Sequence, residues 1–367
     1  MIIILLLIII LLLIILLILI ILSTVIYYSL NKLFRRKNES QINELNFSIV
    51  VAARNEENNL SFLVDALLKL NYPSHKYEII LINDHSADNT LKLMNELALQ
   101  SINVKTLNLD EHDDKGKKAA LTKGIANAKH EYIMITDADC LPNDNWLCAF
   151  AKVFAEGNDF AFGISPYIKT IGFINSLTRF ENLKSHLLTF GAANLGLPYS
   201  ASARNFGFKK SSFEKIFGYT NTKETIGGDD DLLIREAVKN KMKIGLVTSE
   251  DAFVYTHSKE NFRDYLAQKA RHTSTSLHYH LKHKILLGIW HISNIAVLLS
   301  ILLFHFSEIF LLPTLVKFIL DSLLVNNFSR QFGYKFNLLQ FLYLNIIYEF
   351  LIVLNFFSAK KYSNKWS

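Results

Sequence analysis

Residues 2–22 are Ile and Leu without exception, and the apolar character continues to about Leu30. A helix that is apolar all the way round is either buried in a core or spans a membrane, and the length and purity of this run favour the membrane. At about 1.5 Å of rise per residue the run is long enough to cross the hydrocarbon of a bilayer. It lacks a basic start and a small-residue cleavage site, so it reads as an uncleaved anchor over 1–30. Lys32, Arg35, Arg36 and Lys37 come directly after it. Basic residues favour the cytoplasmic side, which places the N-terminus outside and the middle of the chain inside. Three further apolar stretches, about 285–304, 308–325 and 338–357, read as C-terminal membrane helices within 285–358; Lys317 and Asp321 interrupt the middle one. Three crossings leave the basic tail at 359–367, with Lys360, Lys361 and Lys365, outside, against the charge rule.

Between these ends the composition changes. A basic and polar linker, 31–46, leads into 47–280, which has the make-up of an ordinary soluble domain. Net charge is +6, with the basic residues scattered or flanking apolar runs. That distribution suits a membrane surface and an anionic substrate, not a nucleic-acid groove. The two cysteines, Cys140 and Cys148, have no metal-type spacing and are too few for a disulfide scaffold.

Phe47 to Ala53 is a continuous apolar run that breaks into Arg54-Asn55-Glu56-Glu57, succeeded by helical spacing at Leu60, Leu63, Val64, Leu67 and Leu68. Tyr77 to Ile82 is a second run, ending in Asn83-Asp84-His85. A weaker strand spans Val104 to Leu109. A helix to about Ala128 then leads to a strand at 132–136 that ends in Thr136-Asp137-Ala138-Asp139. Alternation of this kind predicts a doubly wound, largely parallel α/β sheet. Ligands bind such sheets beyond the carboxyl ends of the strands, which is where these polar residues fall. Asp137 and Asp139, one residue apart, would project the same way and offer hard oxygens to a divalent cation such as Mg²⁺ or Mn²⁺. The plainer reading is an acidic turn capping a helix that starts near Pro142.

The second half is less regular. Strands are expected at 160–164, 203–209, 244–248 and 252–256, and helices at 173–190, 211–217, 232–240 and 261–278. Asp229-Asp230-Asp231 opens the third of these helices. Its carboxylates serve either as a helix cap or as a general base with a pKa raised by like charges. The cap is expected at Asp231.

Taken in order, these motifs resemble those of a family-2 glycosyltransferase with the GT-A fold, membrane-bound and similar to processive polysaccharide synthases. Val51-Ala52-Ala53-Arg54-Asn55-Glu56-Glu57 resembles the first nucleotide-binding loop, with Ala53 where many members carry Pro. Asn83-Asp84-His85-Ser86 resembles the second. Lys115-Gly116-Lys117-Lys118-Ala119-Ala120-Leu121 is similar to the Gly-Lys-x-x-Ala-Leu stretch, and Thr136-Asp137-Ala138-Asp139 to the metal-binding Asp-x-Asp. Ala203-Arg204-Asn205-Phe206 resembles a stretch lining the sugar and acceptor side. Gly228-Asp229-Asp230-Asp231-Leu232 stands in place of Glu-Asp-x-Asp-Leu, and Gln268-Lys269-Ala270-Arg271-His272 in place of Gln-x-x-Arg-Trp.

The resemblance implies a nucleotide-sugar site of Ala53, Arg54, Glu56, Asp84, Lys117, Lys118, Asp137, Asn205, Gln268 and Arg271, and a metal site of Asp137 and Asp139. The base is Asp229 or Asp230, with alignment on Asp231-Leu232 favouring Asp229. It implies inverting transfer from a UDP-sugar to a polysaccharide or lipid-linked acceptor, at the plasma (inner) membrane. His272 replaces an aromatic that would stack on an acceptor sugar, and histidine stacks less well. A rival of another class is a catalytically decayed, membrane-anchored assembly subunit of an export system. Complete carboxylate motifs speak against it, because clustered acids are costly without a use.

Overall fold

The computed structural model describes residues 2–36, 45–110, 112, 114–225 and 227–362. Residues 37–44, half of the expected linker at 31–46, lie outside the described residues, as do the last residues of the basic tail.

The elements run α1 (Ile2–Arg35), β1 (Phe47–Ala53), α2 (Leu60–Leu68), β2 (Tyr77–Asn83), α3 (Thr90–Gln100), β3 (Val104–Asn108), α4 (Lys117–Ala126) and β4 (Tyr132–Ile135). Then come β5 (Cys140–Pro142), α5 (Trp146–Ala155), β6 (Phe160–Gly163), α6 (Phe173–Asn194), β7 (Phe206–Lys209), α7 (Lys210–Lys215) and α8 (Asp231–Lys239). The chain closes with β8 (Ile244–Val247), β9 (Val254–Thr256), α9 (Phe262–Ser276), α10 (Leu281–Leu299), α11 (Leu311–Phe328) and α12 (Leu338–Tyr362).

Seven strands form one sheet in the order β3-β2-β1-β4-β7-β6-β8, with β7 antiparallel to both neighbours and every other pairing parallel. β5 and β9 form a separate antiparallel pair. The chain therefore leaves the metal-type motif through a short strand, and the next helix starts at Trp146, later than the Pro142 of the capping reading. An isolated turn does not survive because Cys140 and Pro142 pair with Thr256 and Val254.

β1 and β2 are apolar at nearly every position because both faces of the sheet are covered. Ile49, Val51, Ile79 and Leu81 pack with α2 and α5 on one side. Val50, Ile80 and Ile82 pack with α4 and α6 on the other, in a cluster that extends to Ile26, Leu30 and Leu33 of α1 and to Phe341, Leu344 and Tyr348 of α12. Each fully buried side chain of this size stabilises the fold by about 1.5–3 kcal/mol. The apolar ends of the chain are thus joined to the sheet by one continuous core.

Among the described residues, three helices are long and apolar enough to cross a membrane: Ile3–Arg35, Leu281–Leu303 and Leu338–Ala359. The fourth expected span, α11, is not among them. Its Lys317 and Asp321 are buried, and the interior of the helix bundle receives them as ion pairs (Lys317 Nζ to Asp321 Oδ2, 2.5 Å; Lys317 Nζ to Glu349 Oε1, 3.0 Å; Lys184 Nζ to Asp321 Oδ1, 2.5 Å).

Candidate active site

Parallel pairing of β3, β2, β1 and β4 brings their carboxyl ends to one edge, and Ala53 sits beside Asn83 in register. The loops that leave β1 and β2 are laced together there. Asn55 N donates to Ser86 Oγ (3.1 Å), and Ala87 N donates to Asn55 Oδ1 (2.8 Å). Asn55 and His85 both take positive φ, 57° and 53°, which short polar residues tolerate best.

Asp84 is 2 % exposed. Its Oδ1 accepts from the Gly116 amide at 3.1 Å and contacts His85 Nδ1 at 3.2 Å, while its Oδ2 is buried with no partner. An orphaned buried acceptor is costly, so a ligand donor belongs there. Gly116, at φ 100°, makes the turn that aims its amide at this carboxylate and starts α4. Arg54 lines the same cleft. It pairs with neither Glu56 nor Glu57, which accept from Asn59 and Asn89. Burial pushes the Glu56 carboxyl up, helped by Asp139 and Asp137.

Lys117 is the hinge of the site. Its ammonium lies 2.7 Å from Asp137 Oδ1 and 2.6 Å from Asp229 Oδ2, so one cation joins the metal-type pair to the acidic opening of α8. Burial works against the lysine's charge, but Asp137 and Asp229 hold its pKa well above the usual range. Burial also opposes ionisation of Asp137, and Lys117, Arg204 and Arg271 overcome it and hold that carboxyl low.

Asp137, Asp139 and Cys140 can bring one ligand atom each within 4.8 Å of one another. Burial, then Asp139 and Asp137, push the Cys140 thiol well up, so it stays protonated and donates to Asp139 Oδ1 at 3.3 Å. The donors left are two carboxylates, which suit a hard divalent cation. The Lys117 ammonium seated on Asp137 shows that the position accepts positive charge.

The three aspartates of α8 divide their tasks differently from the expectation. Asp230, not Asp231, caps the helix: its Oδ1 accepts from Asp231 N at 2.7 Å and its Oδ2 from Ala203 N at 2.7 Å. Asp231 is held by Ser200 Oγ (2.6 Å), Tyr279 OH (2.6 Å) and Ala201 N (3.2 Å). Burial and the neighbouring Asp231 and Asp229 carboxylates push Asp230 well up. Asp229 alone of the three carries its carboxylate to Lys117. Gly228, where the family pattern has an acid, sits at φ 73°, and a Cβ there would lie 2.7 Å from Thr275 Cγ2 and 2.9 Å from Leu232 Cγ. The fold has no room for an acid at that position.

Two expected nucleotide-sugar residues are elsewhere. Lys118 points away and donates to the carbonyls of Thr222 and Thr225, tying down the loop before Gly227. Asn205 is fully buried, accepts from Trp146 Nε1 (2.8 Å) and donates to the carbonyls of Ile164 (2.8 Å) and Ala252 (2.9 Å). Its neighbour Arg204 takes the cleft instead, stacked over the Tyr167 ring at 4.6 Å. Ala203–Asn205 is a 3-10 turn and not the start of the expected strand, which begins at Phe206. Successive side chains in such a turn point about 120° apart, so Arg204 faces the cleft while Asn205 faces the core. Ala53, Arg54, Glu56, Asp84, Lys117, Asp137, Asp139, Asp229, Asp230, Gln268 and Arg271 all line one cavity of about 1880 Å³. Gln268 Oε1 is buried there without a partner.

Residues 48–217 match the family model described as Glycosyl transferase family 2. The chain is 28 % identical over 197 residues to YdaM of Bacillus subtilis, described as a probable glycosyltransferase, covering 51 % of this chain and 46 % of that protein. It is 36 % identical over 115 residues to the poly-beta-1,6-N-acetyl-D-glucosamine synthase of Staphylococcus epidermidis, covering 31 % of this chain and 26 % of the synthase. The chain thus spans about half or less of the length of these curated relatives. Among solved structures, a mannosyltransferase from Pyrobaculum calidifontis in complex with GDP-Man and Mn²⁺ superposes with a TM-score of 0.59 at 15 % identity. That match covers 95 % of this chain and 97 % of the other, and it identifies the fold.

Proposed function

We propose that this chain, whose residues 48–217 match the Glycosyl transferase family 2 model, is an integral-membrane, inverting glycosyltransferase of the GT-A fold. It transfers a sugar from a nucleotide-diphosphate sugar, a UDP-sugar, to a polysaccharide or lipid-linked acceptor. The observation that carries the reading is the Lys117 bridge, which holds the metal-type aspartate and the acid of α8 across one cleft.

Each residue has a task within that reading. Asp84 accepts from the nucleotide base through its orphaned oxygen, and Arg54 flanks it at the end of β1. A Mg²⁺ or Mn²⁺ ion, held by Asp137 and Asp139, would supply Lewis-acid neutralisation of the departing diphosphate. Arg271 and Lys117 add positive charge on the same side. Asp229 takes the proton of the acceptor hydroxyl, and direct attack inverts the anomeric carbon. Asp230 and Asp231 keep Asp229 and the 200–203 stretch in place.

The anchor at 1–30, the catalytic domain at 47–280 and the C-terminal helices within 285–358 are parts of the same reading. So are the plasma (inner) membrane and a cytoplasmic catalytic face, on the strength of Lys32, Arg35 and Arg36 after the first apolar run. The test is nucleotide release by the purified full chain from a panel of labelled nucleotide sugars, with and without EDTA. Release that EDTA suppresses, and that Asp137→Ala or Asp139→Ala abolishes, is expected. Undiminished release in either variant removes the metal assignment. No release from any nucleotide sugar leaves a binding or assembly subunit.

A further inference from the structure

The cavity does not end at the acids. It passes Tyr279, then runs along α10 past Lys284, Gly288 and His291, and is faced by Asn355 of α12. α10 and α12 are two of the three helices long and apolar enough to cross a membrane. A cleft for a soluble acceptor has no use for such an extension.

Three features say what it holds. First, it opens sideways. Ile292, Val353 and Phe356 line the cavity on the span helices and stand 67 %, 37 % and 51 % exposed. Large apolar side chains left so accessible beside a cavity between two span helices mark an open wall, not that of a closed conduit. Second, polar atoms sit inside the apolar stretch. His291 Nδ1 and Asn355 Oδ1 are buried without partners, and Asn355 is 4 % exposed. Such atoms at membrane depth are costly unless a ligand satisfies them. Third, the wall is thinned at Gly288, where an added Cβ would meet nothing within 4 Å.

We infer that the cavity between α10 and α12 admits the acceptor from the bilayer, and that the acceptor is a membrane lipid with a hydroxyl or phosphate head. This rests on the transferase reading and narrows its acceptor. The apolar chain leaves between Ile292 and the Val353 and Phe356 pair. The head passes His291 and Asn355 and meets the acids beyond Tyr279, whose hydroxyl donates to Asp231. Lys284, in the first turn of α10, stands between Tyr279 and His291 on that path, its ammonium 3.3 Å from the Leu277 carbonyl. In the transfer the head oxygen forms a bond to the anomeric carbon as the bond from that carbon to the diphosphate oxygen breaks. The nucleoside diphosphate leaves with the electron pair, and a hydroxyl head gives its proton to Asp229.

The experiment uses the full chain in nanodiscs doped separately with a polyisoprenyl phosphate and with diacylglycerol, supplied with labelled nucleotide sugar. Label is expected in the organic phase with one of the two dopants, which separates a phosphate head from a hydroxyl head. Gly288→Trp, which fills the passage, is expected to raise the lipid KM at least about tenfold while donor affinity by calorimetry stays within twofold. A diazirine-tailed analogue of the accepted lipid should crosslink to α10 and α12 of the unaltered protein, a readout that needs no variant to fold. Nucleotide release with all product in a water-phase polymer, or crosslinking that avoids both helices, overturns the lipid acceptor and leaves the transferase standing. No nucleotide release at all overturns both.

Discussion

Two clusters of opposite charges in this molecule, one among the helices and one at the edge of the sheet, differ in balance. Among the helices, Lys184 and Lys317 face Asp321 and Glu349, two cations against two anions, with Asn345 Nδ2 donating to Asp321 Oδ2 at 2.8 Å. At the edge of the sheet, Lys117 alone bridges Asp137 and Asp229, while Asp139 makes no ion pair among the described residues and two more aspartates stand behind. A cluster balanced in charge needs no counter-ion, even though Glu349 Oε2 and Asn345 Oδ1 within it are buried without a partner. A cluster with surplus carboxylates, open to a cavity, is stable only in part and gains from a cation. The difference separates a structural network from a binding site without reference to either sequence motif.

The largest test of that contrast is Lys317→Met. Removing one partner of a buried pair costs about 3–5 kcal/mol, so detergent-solubilised protein should lose its cooperative thermal transition or show a sharply lower Tm. Adding Glu349→Leu, which removes the stranded anion, should recover most of the loss. An unchanged Tm in the single variant would erase the distinction. Asp229→Asn is the next largest. Turnover should fall about a hundredfold, roughly 2.7 kcal/mol in barrier, with nucleotide affinity and Tm nearly intact. If Asp230→Asn behaves this way instead, the base lies one residue on. The smallest is Lys117→Gln. Unlike Lys317→Met it should leave the protein folded, and Mn²⁺ should bind several-fold more tightly, because the ammonium no longer competes for Asp137. Weaker Mn²⁺ binding would mean that the lysine shapes the pair and does not substitute for the ion.

The site is unevenly legible in the sequence. Every strand end that supplies it is marked by an apolar run breaking into polar residues, since a strand buried on both faces has to change composition where it leaves the core. Lys118 and Asn205 read as cleft residues because their motifs are short, and spacing does not reveal which of two neighbours faces outward. Arg204 escapes notice for the same reason. The cap on Asp230 is hidden because three successive aspartates carry identical local signals. Only the hydrogen bonds of Ala203 and Tyr279, contributed from distant parts of the chain, tell them apart.

What the sequence determined by itself was local: which stretches are buried on both faces, which are long and apolar enough for a bilayer, and where acids gather at strand ends. Periodicity and composition act over a few residues, so these need no partner to be read. What tertiary structure decided was pairing. The union of Asp137 with Asp229 through Lys117, the neutralisation of Lys317 inside the helices, and the path from the acids to Gly288 each join residues far apart in the chain. Such contacts exist only once the sheet and helices have packed, because their energy comes from distance and burial, and neither is written in the order of residues.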